Sequence, residues 1–401
     1  MSDGQEYQGL TVRVQTGDAS AIEQLAAQWR QLCDESGDEE IFYRPEWALA
    51  YLQAFDPNAE VIVFSVWQGE RLRGVLPLVR HVSRAYGVPV TKLTLPANVH
   101  SLRASLTVCS GTEGDAALSA LLQAVRKLPD WDVIDVANVV GGSGLDRFLT
   151  AARDDGFNTA RKRTSQTLYL SISAAPSPKP DAQPPWSAGT RPKFRSHLRR
   201  TRKQLEELGT LELNHFEKAD PAALERLYAL EASGWKGSEG TAIQCDPRTK
   251  QFYDLVAQAA ARDGYLSLDF LELNGSPIAA HFGFNLRGKY FLAKAGYNEA
   301  FRRQGPGQLL VHEVLSQTPQ RGLREFDFVG PATWDESRWA SARRTNYRIF
   351  IFNRTWYARL LYFLRITLRE KFHLMSGRHD DESVPLELKS KPQGSEKESE
   401  Q

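Results

Sequence analysis

Cysteine is scarce in this 401-residue chain, and Cys33, Cys109 and Cys245 are widely spaced and odd in number. That pattern fits a reducing compartment better than a disulfide framework. The cysteines form no CxxC pair and no zinc spacing with the eight histidines, so no structural metal is expected. Net charge is lacking too. With 50 Lys plus Arg against 49 Asp plus Glu, no global field draws the molecule to nucleic acid, and any basic surface must be local. Nor is there a long apolar run: the stretch around Leu360 to Leu368 is interrupted by Arg365 and is too short and too charged to span a bilayer. The opening MSDGQEYQGL lacks a basic start followed by an apolar run, so neither a secretory signal nor a transit peptide is expected.

What is present is the composition of an ordinary folded protein, with 41% hydrophobic, 25% charged and 10% aromatic residues. These figures exclude a disordered or collagen-like chain, and the length suggests two or three domains. Six prolines between Ala174 and Pro192 can sustain neither a helix nor a sheet ladder, so residues 174–190 read as a linker between halves at 1–173 and 191–376. Residues 377–401 carry almost no aromatics and read as a disordered tail.

Each half alternates strand and helix patterns, which makes the fold class α/β (α+β), a mixed central sheet flanked by helices. Val61 to Trp67 and Arg73 to His81 flank QGER as a hairpin, Gly114 to Lys127 reads as a helix, and Trp131 to Val140 as a buried strand. In the second half Tyr265 to Leu273 and Pro277 to Leu286 flank NGS, Lys289 to Tyr297 follows, then a helix near Gly307 and a strand at Arg324 to Val329. The order hairpin, helix, strand occurs twice, and duplication of one unit is its simplest explanation.

The most informative segment is RRQGPGQLL, Arg302 to Leu310, between a strand and a helix. Glycines there let the backbone bend tightly and approach a ligand, while the first N–H groups of a helix and its dipole hold phosphate oxygens. Pro306 suits the first helical turn, and Arg302 or Arg303 adds a charge-assisted contact. The plain alternative is a glycine pair closing a strand–helix connection.

Arg302, Gly305 and Gly307 resemble the Arg/Gln-x-x-Gly-x-Gly/Ala pyrophosphate loop of GNAT acyltransferases. Through LEASGWKGSEGTAI, FLAKAGYNEAF, PGQLL and FDFVGPATWDESRWA, the second half resembles the CelD/BcsL group with its BioF2-like acetyltransferase domain, related in fold to the FemABX transferases. FYRPEWALAYLQAF, Phe42 to Phe55, is similar to the entry helix of the same group. The resemblance implies tandem GNAT-like modules, a cytoplasmic location and a part in exopolysaccharide, often cellulose, synthesis. Where many relatives carry Tyr-Lys before the Trp, this chain has Thr333 and Trp334, which puts the acceptor in question.

GNAT-type transfer from acetyl-CoA implies a cradle at Arg302, Arg303, Gly305, Gly307 and Gln308, a base to deprotonate the acceptor, and an acid for the leaving thiolate. His281 is a candidate base or a core histidine. Asp327, among apolar residues, is a base or one end of a salt bridge. Tyr297, just before the loop, is the acid or a packing residue. Trp235, Lys236, Lys294, Trp334 and Trp339 are candidates for holding a sugar or polysaccharide acceptor, or for lid packing.

Two charged helices remain. From Arg191 to Lys203 a basic face surrounds a stripe of Phe194, Leu198, Thr201, Leu205 and Leu208; it reads as a solvated face or a site for the CoA 3′-phosphate, an anionic substrate or RNA. Near the C-terminus Tyr357, Leu360, Leu361, Leu364, Leu368 and Phe372 form one side bordered by Arg354, Arg365 and Arg369. That side packs on the second domain, or lies on an anionic inner-membrane surface beside a polysaccharide synthase. Two rival functions stand beside acyl transfer: an aminoacyl-tRNA-dependent transferase, and a non-catalytic subunit of a polysaccharide synthesis complex.

Overall fold

The computed structural model describes residues 5–7, 9–85, 87–172 and 190–367, so the proposed linker, apart from Thr190, and the proposed tail lie outside the described residues. The first half supplies β1 (Gln5–Tyr7), β2 (Leu10–Gly17), β3 (Glu60–Gln68), β4 (Arg71–Ala85), β5 (Val88–Thr94), β6 (Thr107–Val108), β7 (Val133–Val140) and β8 (Asn158–Ser171). The second supplies β9 (Leu211–Phe216), β10 (Leu266–Leu273), β11 (Ser276–Leu286), β12 (Lys289–Tyr297), β13 (Glu325–Pro331) and β14 (Ala342–Phe352). Both hairpins expected from the sequence, β3/β4 and β10/β11, are present.

All of these strands join one sheet in the order β1-β2-β3-β4-β5-β7-β14-β8-β13-β12-β11-β10-β9, with β6 beside β4. The halves exchange strands at the centre. β14 of the second half inserts between β7 and β8 of the first, and β8 in turn pairs with β13. Parallel pairing occurs between β5 and β7 and between β12 and β13.

Local chemistry starts the helices. Proline occupies the first turn of Pro45–Phe55, Pro192–Glu206, Pro221–Ala232, Pro247–Arg262 and Pro306–Ser316, where its missing N–H costs nothing. The Asp220 and Asp246 carboxylates accept backbone N–H groups at two of these starts.

The helices cover both faces. In the second half, Pro221–Ala232 and Pro247–Arg262 pack on one face and Pro192–Glu206 and Pro306–Ser316 on the other. First-half Trp47 is 1% exposed and sits 5.7 Å from Phe252 and 5.6 Å from Phe284, so a single apolar core crosses the junction. In Pro192–Glu206, Phe194, Leu198, Thr201 and Leu205 are buried as the stripe predicts; Leu208 lies past the helix end and is 55% exposed.

The C-terminal helix differs from expectation. Ala358 and Leu361 face the core, whereas Trp356, Leu360 and Phe363 are 76%, 43% and 46% exposed. Of the expected stripe, Leu361 is buried and Tyr357 packs against the same cluster, but Leu360 turns outward within the regular helix Trp356–Tyr362, before a π-type turn at Phe363–Thr367. Leu368, Arg369 and Phe372 lie outside the described residues.

Candidate active site

β12 and β13 run side by side only at Lys289–Glu325, Tyr290–Phe326 and Phe291–Asp327, although both strands continue. Beyond Phe291 and Asp327 they part. On β13 the cause is local: Val329 has φ of +56°, rare for a β-branched residue, and the β8 register shifts between Asp327 and Pro331. Strain of this kind persists only where the surroundings impose it. Here the Asp327 carboxylate accepts the Val329 N–H at 2.9 Å.

Because the two strands are parallel, both C-terminal ends open at one edge, where ligands collect in open α/β sheets. β12 leads into Asn298–Gly305 and the helix Pro306–Ser316; β13 leads into the short helix Trp334–Ser337. Gly305 caps the first of these helices with φ of +64°, a conformation that favours glycine, and a Cβ added there would meet nothing within 4 Å. A Cβ on Gly307 would meet only Tyr297 Cδ1, at 3.8 Å. The loop is therefore open where a phosphate would approach; Pro306 has no N–H, and Gln308 and Leu309 donate theirs to the Gly305 carbonyl at 3.2 and 3.3 Å, which leaves the Gly307 N–H of this first turn for a ligand. These residues fit the pyrophosphate of CoA.

Arg302 and Arg303 are exposed beside the loop, and Arg302 is 3.9 Å from Glu299. Tyr297 is half-buried against the loop; burial and then Glu299 raise its phenol pKa, keeping the proton on at neutral pH. The Gln308 side chain turns away from this role and accepts the Trp339 indole N–H at 2.6 Å.

The face opposite that helix carries a second group of residues. Lys294 projects from β12 three residues beyond the parting point, with Nζ 5.4 Å from the Tyr253 ring centroid. Lys236 Nζ donates to Glu231 Oε1 and to the Ala295 carbonyl, both at 3.0 Å, and Glu231 Oε2 accepts the Ile243 N–H at 2.9 Å. Gly296 permits this packing, since a Cβ there would lie 2.7 Å from Glu231 Cα. From the first half, His100 reaches Tyr253 Oη at 3.3 Å and Thr249 Oγ1 at 3.4 Å. Burial, then Lys294, push its imidazole pKa down to about 4, so it is neutral. Neither Glu231 nor His100 stands out in the sequence, because each acquires its meaning only from distant partners.

Two candidate bases sit elsewhere. Asp327 is wholly enclosed: Arg103 Nη2 donates to both of its oxygens, Arg344 Nη1 to Oδ2 at 2.9 Å, and Lys289 is 4.0 Å away. Burial alone would raise its pKa, but Arg103, Lys289 and Arg344 outweigh it and hold it below the usual value. A carboxylate with every oxygen engaged and low proton affinity cannot serve as base; Asp327 is the salt-bridge alternative. His281 is 1% exposed on the helix Pro306–Ser316 face, beside the stacked Tyr290 and Phe326 rings, and burial pushes its pKa down to about 4. It is buried like a core histidine, but among the described residues its Nδ1 has no hydrogen-bond partner.

The tryptophans divide. Trp339 is fully buried, edge-on to Phe194 at 4.9 Å, so it supports the wall and offers no stacking face to a sugar. Trp235 and Trp334 open the short helices Trp235–Ser238 and Trp334–Ser337, and their side chains lie outside the described residues.

One carboxyl was not singled out by the sequence. Glu336 closes a capping box with Thr333, and burial raises its pKa to about 7. A Thr-x-x-Glu pattern is visible as a cap, but its shifted proton affinity depends on folding. Among the described residues no group of three His, Cys, Asp or Glu is placed to hold a metal ion.

Residues 192–341 match the acetyltransferase (GNAT) domain family. The chain is similar in fold to a crystal structure of FemX, with a TM-score of 0.56, 12% identity, and coverage of 80% of this chain and 95% of that one. A conserved protein of unknown function from Bacteroides thetaiotaomicron VPI-5482 aligns with TM-score 0.48 at 13% identity, over 85% of this chain and 100% of that one. A tandem GNAT protein from the clavulanic acid biosynthesis pathway aligns with TM-score 0.42 at 14% identity, over 84% and 98%. No curated protein matches the sequence. At these identities the likeness to FemX establishes fold alone. The chain thus has a mixed α/β fold whose second half matches the GNAT acetyltransferase domain family over residues 192–341.

Proposed function

We propose that the protein transfers an acyl group, acetyl in the first instance, from acyl-CoA to an amine or hydroxyl of a sugar or polysaccharide precursor. The observation that carries this reading is the parting of β12 from β13 directly before the open glycine loop, within the matched acetyltransferase domain. The Gly307 N–H at the positive end of the helix would hold the CoA pyrophosphate, with Arg302 or Arg303 adding charge. The thioester would enter between the parted strands, and the acceptor would approach from the face bearing Lys294 and Lys236.

The acceptor N–H or O–H attacks the thioester carbonyl, the C–S bond breaks, and the Tyr297 phenol returns a proton to the sulfur. For the acceptor's proton, the carboxyl poised nearest neutrality at this edge is Glu336, acting directly or through water. An inner-membrane position beside a polysaccharide synthase remains part of the proposal. What supports it is the exposed row Trp356, Leu360 and Phe363 next to the exposed Arg359.

Calorimetry with acetyl-CoA tests the reading. The intact protein binds it, and Gly307→Glu, which sets a carboxylate where the pyrophosphate belongs, weakens binding at least tenfold without lowering the melting temperature. Failure to bind, or binding indifferent to Gly307→Glu, overturns it.

A further inference from the structure

Lys294 is half-buried on β12, close enough to Lys236 for the second ammonium to lower its proton affinity further, after burial. The nearby carboxylate does not neutralise it: Glu231 spends one oxygen on Lys236 and the other on the Ile243 backbone. Among the described residues no carboxylate lies within ion-pair distance of Lys294, and its ammonium faces the π face of Tyr253. His100 on the far side is neutral. Lys236 thus takes the one nearby carboxylate and leaves Lys294 without a counter-charge where the acceptor would approach, and half-burying an uncompensated cation is costly. A neutral hydroxyl does not relieve that cost; an anion does, and lysine binds phosphate or carboxylate as a point charge.

We propose that the acceptor carries an anionic group, phosphate or carboxylate, held by Lys294 on the face of β12 beside the parted strands. This rests on the acyl-transfer reading and names its substrate class.

The experiment titrates the full chain, saturated with CoA, with glucose 1-phosphate, glucuronate and glucose. At least one anionic sugar binds tenfold or more tighter than glucose, and which one does so distinguishes phosphate from carboxylate. Lys294→Met, which keeps the length of the side chain, lowers that affinity tenfold or more and leaves CoA binding unchanged. Lys294→Arg retains it within a few-fold. Equal binding of neutral and anionic sugars, no binding of either anion at tens of millimolar, anion affinity indifferent to Lys294→Met, or loss of CoA binding in that variant each overturns the proposal. Failure of the parent protein to bind CoA instead overturns the acyl-transfer reading.

Discussion

Arg103 from the first half meets Asp327 from the second in a bidentate pair, Nη2 lying 2.9 and 2.8 Å from the two carboxylate oxygens, with both side chains fully enclosed. Glu40, Lys289, Glu325 and Arg344 complete a cluster of three cations and three anions across the junction. Removing one member of such a cluster leaves a buried charge uncompensated. Asp327→Asn is therefore expected to destabilise the fold by about 3–5 kcal/mol in denaturant unfolding. It also loosens the Val329 turn that parts the strands. If Asp327 were instead a base, the variant would lose turnover with its unfolding curve unchanged.

Much of the second half was legible in the sequence. The hairpin, β12, the glycine loop and the following helix are continuous in the chain, and their chemistry is local: glycine for the turn, proline for the first helical position. The central exchange was not legible, since β14 finds β7 and β8 only in three dimensions and its own pattern names no partner. Asp327 illustrates the limit, for an acidic residue in an apolar strand reads alike as base or ion pair until Arg103 is placed beside it. In the C-terminal helix the expected stripe was too wide: Leu361 and Tyr357 pack, while Leu360, one helical step from Leu361, turns to solvent.

Helix and strand touch backbone to side at Gly296, where a Cβ would lie 2.7 Å from Glu231 Cα and 2.9 Å from its backbone nitrogen. Rigid backbone cannot yield as a side-chain tip can. Gly296→Ala is expected to cost about 1–3 kcal/mol and to displace Glu231 from Lys236. Denaturant unfolding reads the first effect. The second appears as faster labelling of Lys236 in mass-spectrometric acylation, since its ammonium no longer has Glu231 as a fixed partner.

His281 sets an acid limit on stability. Its folded pKa is depressed to about 4 by burial, against 6.5 for an exposed histidine, so between those values the unfolded chain binds the extra proton. Stability thus falls as pH drops from 6.5 through about 4. His100 acts in the same direction over the same window. Melting temperatures measured from pH 7 to 4.5 should decline less steeply in His281→Phe, whose ring fits beside Tyr290 and Phe326, than in the parent.

Glu336 yields the prediction that separates chemistry from scaffold. Its carboxyl titrates near 7 because it is buried, and it also caps the helix Trp334–Ser337 through the Thr333 N–H at 3.0 Å. Glutamine keeps an oxygen for that N–H but cannot take a proton, so Glu336→Gln preserves the cap and removes the base. Above the unfolded pKa of 4.5 the parent pays a penalty for ionising this buried group, and its stability falls as pH rises through about 7. Glu336→Gln should therefore match the parent's melting temperature near pH 4.5 and exceed it at pH 8. In turnover the expected loss is about 100-fold or more in kcat, with acetyl-CoA affinity unchanged and the rising limb of the pH–rate profile near 7 abolished. A variant that gains stability at pH 8 yet keeps full kcat and the same limb would leave Glu336 as a cap alone, and the acceptor's proton would have to leave by another route.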